Sequence, residues 1–402
     1  MSLSDIFLLI AAVFFGISLI FNRNKKWHFG SKKILIIALV FFIMIELQGL
    51  FESEQKHTLQ ALLRMLEYLI MYFMIVNEVL TMERIKKYWI ITFSMQAFIA
   101  VLQSIFQHSV NLSPLGEPSI GANISGVAKI GLEQIKFIRS YGTLPHPNIL
   151  GGLLVLSLFF TAFFWKNEKM RRNIIIIQSL GLLTTFSRSA MVGYLGSIMF
   201  LWIALKPQLA VKKKLMELLK FGSIAVIIFI LMQTKAFYAL KERALPQLND
   251  KALTERSEYL KISARMIEKF PLFGIGIGNF TTRMQDFTKK KLAPWEHQPV
   301  HNVFALVASE TGLIGFAFFL FAMMLIFQKI YRENKKFSNR DSKENVYLLY
   351  LCVFAVIIIM FFDHYWITLY QGQIALVIII AFVSTSTEKK EKMQIRKLQN
   401  FR

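Results

Sequence analysis

Asn173–Leu205 reads NIIIIQSLGLLTTFSRSAMVGYLGSIMFLWIAL. A helix needs about 20 predominantly apolar residues to cross a bilayer core about 30 Å thick. This run is too long for one crossing. Its one charged residue, Arg188, stands between Ser187 and Ser189 near the middle. A turn at that polar break makes the run two shorter spans, with a guanidinium between them.

Outward from this stretch, apolar runs recur at 3–21, 34–51, 59–80, 88–107, 148–165, 218–236, 303–327, 346–366 and 367–384. The fold class that follows is an all-α polytopic membrane protein of about eleven (about 10 to 12) transmembrane helices. Composition agrees: 55% of the 402 residues are hydrophobic and 18% charged. That excludes a disordered chain and argues against a soluble globular one. The first run is long enough to be a helix, so no cleavable signal peptide is read. Residues 1–402 are taken as a single integral membrane domain.

The net charge of +22 would suggest nucleic-acid binding if its placement were ignored. Alternate loops at 22–33, 81–87, 166–172, 206–220, 328–345 and after Thr387 hold 29 of the 47 Lys and Arg and eight of the 25 acids, a net +21. Everything else nets +1. The positive-inside rule makes the basic side cytoplasmic, with the N-terminus outside and the C-terminus inside. The basic face suits anionic membrane lipids, and no motif supports nucleic acid. Trp27, Trp165 and Trp202 fall at inner helix ends, as an aromatic belt places them. The single cysteine, Cys352, lies within a span, so there is neither a disulfide framework nor a CxxC metal site.

Two outer loops are long, about 108–147 and 237–302. Six of seven histidines (His57, His108, His146, His297, His301, His364) and eight of nine prolines fall on the outer side. An enzyme working at the outer surface would gather ionisable groups there; longer outer loops alone are the simpler explanation. Within 237–302, Thr254–Phe270 reads as a helix capped by Thr254 and stopped by Pro271, with a Leu260, Ala264, Ile267, Phe270 stripe.

Several constellations carry chemistry. Arg188 is an ionisable group at membrane depth, and its planar fork suits phosphate oxygens. Arg139 begins a segment in which Pro145 and Pro147 fix a turn around His146, and Asn148 is placed to cap the next helix. His301-Asn302 opens a span, with Glu310, Gly312 and Gly315 following on it. Histidine suits acid–base work near neutral pH, and His297 stands four residues earlier. A zinc site would need further ligands, and HExxH is absent, so no metal is assigned. Gly274, Gly276 and Gly278 lack the strand context of a dinucleotide fingerprint and read as a turn for close backbone approach. Arg256 and Arg265 precede it on the loop helix. Asp363-His364 ends the tenth span as a further candidate beside Glu310. Arg64 and Glu67 read as a structural ion pair, and Glu52 and Glu54 as a solvated loop.

In order, Arg139…Gly142…His146-Pro147-Asn148, Phe186-Ser187-Arg188-Ser189, Arg256…Pro271-Leu272-Phe273-Gly274-Ile275-Gly276-Ile277-Gly278-Asn279 and His301-Asn302…Gly312…Gly315 resemble the bacterial O-antigen ligase / O-antigen polymerase family. The resemblance covers about 139–325, and its His-Asn…Gly-x-x-Gly piece is the most specific. Members are often drawn with about twelve spans, so the outside N-terminus is a departure. The resemblance implies a GT-C-like membrane glycosyltransferase at the outer face of the inner membrane. Its donor would be an undecaprenyl-pyrophosphate-linked glycan and its acceptor a glycan or lipid. It implies pyrophosphate or substrate binding by Arg188, Arg139, Arg256, His146 and Asn302, and a catalytic base in His301. A backside attack would invert the anomeric centre, and arginines standing in for a divalent cation imply a reaction without metal or other cofactor. A lipid-linked glycan flippase is the main alternative; it calls for charges through several mid-span positions, whereas the polar groups here pool on one side. An envelope assembly protein is a third.

Overall fold

The computed structural model describes residues 27–49, 55–130, 136–232, 251–337 and 340–385, together with Gly16. The expected span at 3–21, the Glu52 and Glu54 loop, positions 237–250 of the outer loop and the basic tail after Thr387 lie outside the described residues, as does the side chain of His57. The described chain is mostly helical. In order it forms α1 (Lys32–Gly49), α2 (Gln55–Val76), α3 (Met82–Phe106), β1 (Lys129–Ile130), β2 (Phe137–Ile138), α4 (Pro147–Phe164), α5 (Glu168–Thr184), α6 (Arg188–Ala204), α7 (Leu209–Met232), α8 (Lys251–Lys269), α9 (Phe280–Arg283), α10 (Val303–Lys336), α11 (Arg340–Met360), α12 (Tyr365–Thr368) and α13 (Tyr370–Thr385). Among the described residues, five helices are long and apolar enough to cross a membrane: α3, α4, α7, α10 and the Lys343–Met360 part of α11. Two shorter apolar helices, α6 and α13, accompany them.

The Asn173–Leu205 run divides where its polar break stands. Helix α5 ends at Thr184, Phe186 adopts φ +49°, and Ser187 caps α6 by accepting the Ala190 N–H. Asn167 caps α5 in the same way through the Met170 N–H. Two expectations shift. Helix α7 begins at Leu209 and carries Lys212, Lys213 and Lys214 on its first turns, so much of the basic loop read at 206–220 is helical. The long loop before α4 holds a two-stranded antiparallel pair, Lys129 opposite Ile138 and Ile130 opposite Phe137, which an all-α reading omits.

The chain divides into two compact units. One comprises Met1–Met82, Arg256–Val346 and Trp366–Arg402; the other comprises Glu83–Glu255 and Tyr347–Tyr365. In the second unit, helix contacts are close. A Cβ on Gly181 would strike Ala97 of α3, and one on Gly193 would strike Ile359 of α11. Small residues of this kind let helix backbones approach inside a membrane. Between α3, α4 and α5 the buried Gln178 amide donates to Ser94 Oγ (3.0 Å) and Ser157 Oγ (2.9 Å), and its oxygen accepts from Thr161 (3.1 Å). These bonds spare three helices an unpaired polar group in an apolar interior.

In the first unit α2 pairs with α13, and α10 with α1. Arg64 and Glu67 form the expected ion pair at 3.0 Å, with the guanidinium 4.4 Å from the Tyr370 ring centroid. Helix α8 starts at Lys251, so Thr254 lies inside it and does not cap it. Its buried face is Tyr259, Ile262 and Met266, while Leu260 is 46% exposed. The expected stripe is therefore rotated by one position. Both sets of residues have helical spacing; packing of Tyr259, Ile262 and Met266 with Ile275, Phe280, Met284, Val300 and Leu306 decides between them.

Candidate functional site

The second unit gathers one polar cluster around Arg139. Its guanidinium is buried (5% exposed). Nε donates to the Thr185 carbonyl (2.7 Å), and Nη2 donates to Asn148 Oδ1. The Asn148 amide in turn donates to Asp363 Oδ2 at 2.6 Å, and Asp363 Oδ1 accepts the His364 N–H (3.1 Å). Each end of the Asn148 amide thus has one permitted role: oxygen toward the cation, nitrogen toward the carboxylate. The buried charge of Arg139 is balanced across a neutral amide, not by direct pairing with Asp363.

The segment carrying Arg139 is clamped by two amides two turns apart on α3. Gln103 accepts from the Tyr141 and Gly142 N–H groups (3.0 and 2.9 Å) and donates to the Gly142 carbonyl and to Glu117. Gln96 accepts from the Thr143 N–H and donates to its hydroxyl, both at 2.8 Å. Gly142 has φ +60° and faces Gln96, with no room for a Cβ. Ser140 donates from its N–H to the Thr184 carbonyl and from Oγ to the Ala100 carbonyl. Arg139 is therefore fixed to the turn that opens α6, through Thr185, three residues before Arg188. Ser187 caps that helix, Gly151 of α4 packs against the Cβ atoms of Ser187 and Ala190, and Arg188 is partly exposed at the first helical position. A helix N-terminus and two guanidiniums at one turn favour an anion.

His146 lies at the N-terminus of α4. Its Nδ1 accepts the Asn148 N–H at 3.2 Å, and its ring meets Tyr141 edge-on. The cap expected from Asn148 is thus supplied by His146. Asn148, freed from capping, bridges Arg139 and Asp363. Burial pushes the Tyr141 phenol up, against the opposing pull of the Ala128 N–H it accepts and the charge of Arg139.

The first unit forms a second cluster where α8 runs alongside the start of α10 in the same direction. The Tyr259 ring stacks on His301 (centroids 6.3 Å apart, planes 9° apart). Ser263 bonds the Ala305 carbonyl (3.1 Å) and Ser309 Oγ (2.6 Å). Arg256 is partly exposed one turn before Tyr259. Asn302 caps α10 by accepting the Ala305 N–H at 2.9 Å, a structural use beside the substrate role expected of it. His297 does not share a helical face with His301, because α10 begins only at Val303; its Nδ1 instead meets the Thr281 carbonyl at 3.0 Å. Arg265 donates to the Phe287 carbonyl (2.8 Å) and holds the loop.

Helix α10 breaks at Gly312 (φ 66°, ψ −177°), where a continuous span was expected. The carbonyls and N–H groups freed there bond the glycine turn. Leu313 and Ile314 N–H donate to the Pro271 and Leu272 carbonyls (2.7 and 3.4 Å). Ile275 and Gly276 N–H donate to the Ser309 and Glu310 carbonyls (3.0 and 2.9 Å). A Cβ on Gly274 would strike Glu310, and one on Gly312 would strike Leu272. Gly274 serves close backbone approach, as read from the sequence, and what approaches it is the backbone of α10 at its break, whereas a Cβ on Gly278 would meet open space. Glu310, 9% exposed, accepts the Phe280 N–H at 3.2 Å. That bond offsets part of the cost of its burial.

Sequence reasoning did not single out Gln96, Gln103 or Tyr259. The visible signal for the first two was a pair of amides seven residues apart in an otherwise apolar span. No curated protein matches the chain. Residues 173–320 match the family model described as O-antigen ligase, a segment that includes Arg188, Arg256, the glycine turn, His301, Asn302 and Glu310. The chain is a multi-pass membrane protein whose residues 173–320 are similar to the O-antigen ligase family.

Proposed function

We propose that this chain is a metal-independent, inverting glycosyltransferase that transfers or polymerises a glycan carried on undecaprenyl pyrophosphate. It would work at the outer face of a bacterial inner membrane, with about eleven spans of GT-C type, the N-terminus outside and the C-terminus inside. The observation that carries this reading is the buried Arg139, held by Thr185 and by Asn148, which is itself bonded to Asp363, at the turn that precedes Arg188.

Transfer breaks the bond between the anomeric carbon and a pyrophosphate oxygen, so negative charge grows on the leaving group. Fixed guanidiniums at that position stabilise the charge without reorganising, and in many enzymes such stabilisation contributes more to the rate than any other single effect. Arg139 and Arg188 take this role, with His146 and the helix N-terminus beside them. Arg256 is a further candidate cation for a pyrophosphate group. His301, stacked on Tyr259, accepts the proton of the acceptor hydroxyl as that oxygen forms the new bond to the anomeric carbon. Attack from the side opposite the pyrophosphate inverts the centre. Glu310 and Asp363 hold backbone and side chains in position.

The test is the glycan profile of a deletion strain carrying Arg188→Ala or His301→Ala. Both variants should accumulate in the membrane and leave outer glycan unassembled. Normal glycan from both would end the catalytic reading. Single-repeat products in the deletion strain identify a polymerase, and accumulated full-length lipid-linked chains identify a ligase.

A further inference from the structure

The segment between α8 and α9 has a feature that the chemistry above does not use. Leu272 and Phe273 are 57% and 60% exposed, beside Leu313 of α10 at 49%. Three large apolar side chains thus stand about half exposed on one turn.

The hydrogen bonds fix the level of this turn along α10. The Pro271 and Leu272 carbonyls meet Leu313 and Ile314, and then the chain climbs back so that Ile275 and Gly276 meet Ser309 and Glu310. Leu272 and Phe273 are therefore the lowest point of a dip. Thr311–Gln328 is an 18-residue stretch without a charge, bounded by Glu310 and Lys329. At about 1.5 Å per residue it spans about 27 Å, close to a hydrocarbon core of about 30 Å. Leu313 and Ile314 stand inside that stretch, a few residues past Glu310. Most of the apolar part of α10 is not buried against the protein, so the surface around Leu313 is continuous with a membrane-facing helix. Charged Glu268 and Lys269, both exposed, precede the tip, as befits residues at headgroup level. Trp295, 76% exposed, belongs to the same unit but lies in the loop before His301, the side toward which Tyr259 and His301 stand farther out.

We propose that the Pro271–Gly274 turn dips into the bilayer and seats Leu272 and Phe273 among the acyl chains of the leaflet on the Glu310 side. Exposed apolar area of this kind leaves water when it enters hydrocarbon. The dip is rigid because its backbone bonds α10 directly and because Gly274 and Gly312 admit no Cβ. It sets the height of α8, and with it Tyr259 and His301, about three turns of α10 farther out. None of this depends on the reaction assigned above.

The test uses the full chain in nanodiscs of phosphatidylcholine and phosphatidylglycerol without polyprenyl lipid. Single cysteines replace Phe273, Leu272 or Trp295, and the parent protein, whose native Cys352 is buried, is the blank. A water-soluble maleimide should label Phe273→Cys and Leu272→Cys at least about tenfold more slowly than Trp295→Cys, with the difference vanishing in detergent-denatured protein. A fluorophore attached to the Phe273→Cys variant should be quenched by nitroxide-bearing lipids. Labelling of Phe273→Cys and Leu272→Cys as fast as that of Trp295→Cys overturns the proposal. So does protection that arises only when a polyprenyl phosphate lipid is added, since the turn would then take the substrate's tail.

Discussion

The two polar clusters are built by opposite means. Around Arg139 the work is done by side chains: Gln96 and Gln103 clamp the segment, and Asn148 and Asp363 set the guanidinium. At the break in α10 the work is done by backbone: four N–H···O=C bonds cross between the turn and the helix, and glycines keep the space clear. The first arrangement can be altered one group at a time while the fold stays. The second has no room for a Cβ at Gly274 or Gly312. On the proposed function, this difference separates residues that tune chemistry from residues that hold a scaffold.

The largest expected effect follows from that rule. Gly312→Ala places a Cβ against the Leu272 backbone at a φ of 66°. Left-handed strain alone costs about 1–3 kcal/mol, and the clash adds to it. The variant should accumulate poorly and unfold at a clearly lower temperature in detergent. A wild-type melting profile would show that the turn does not need to touch α10.

Asp363→Asn should come next, and should act on rate instead. The Asn148 amide would lose a charged acceptor, a bond of about 1.5–3 kcal/mol. Glycan transfer should fall about 10- to 100-fold while the melting temperature moves little. A fall in stability without a fall in rate would make Asp363 a scaffold residue like Gly312.

The smallest effect sharpens the line between the clusters. Asn302 caps α10, and loss of a cap costs about 1 kcal/mol. Asn302→Ser keeps a capping oxygen and should be close to wild type, and Asn302→Ala should lower stability modestly. A strong loss of transfer in Asn302→Ser would move Asn302 into the substrate site.

Five of the expected spans fall on helices long and apolar enough to cross a membrane, because apolar runs of bilayer length have few other readings. The turn at Ser187 was legible because one charge stood in a long apolar stretch, and Pro271 marked the end of α8. What the sequence left open has a common cause. The same residue type serves two ends, and tertiary context chooses. Asn148 is a good helix cap and a good bridge; His146 took the cap. Gly312 permits both close helix packing and a broken helix; the incoming Leu272 backbone selected the break. Tyr259 and Leu260 both extend an apolar stripe on α8, and the loop core selected Tyr259. Arg139 and Arg188 were visible as cations, but the attachment of Arg139 to the turn before Arg188 depends on the Thr184 and Thr185 carbonyls, which no side-chain pattern encodes.

The most direct measurement is transfer by purified, reconstituted protein, supplied with an undecaprenyl-pyrophosphate-linked glycan and either a glycan or a lipid acceptor, in excess chelator. The wild type should form product. Arg139→Lys, which keeps the charge but loses the planar fork, should lose about a hundredfold or more. Full activity in Arg139→Lys, or a wild-type reaction that stops in chelator and returns with magnesium or manganese, would contradict the account.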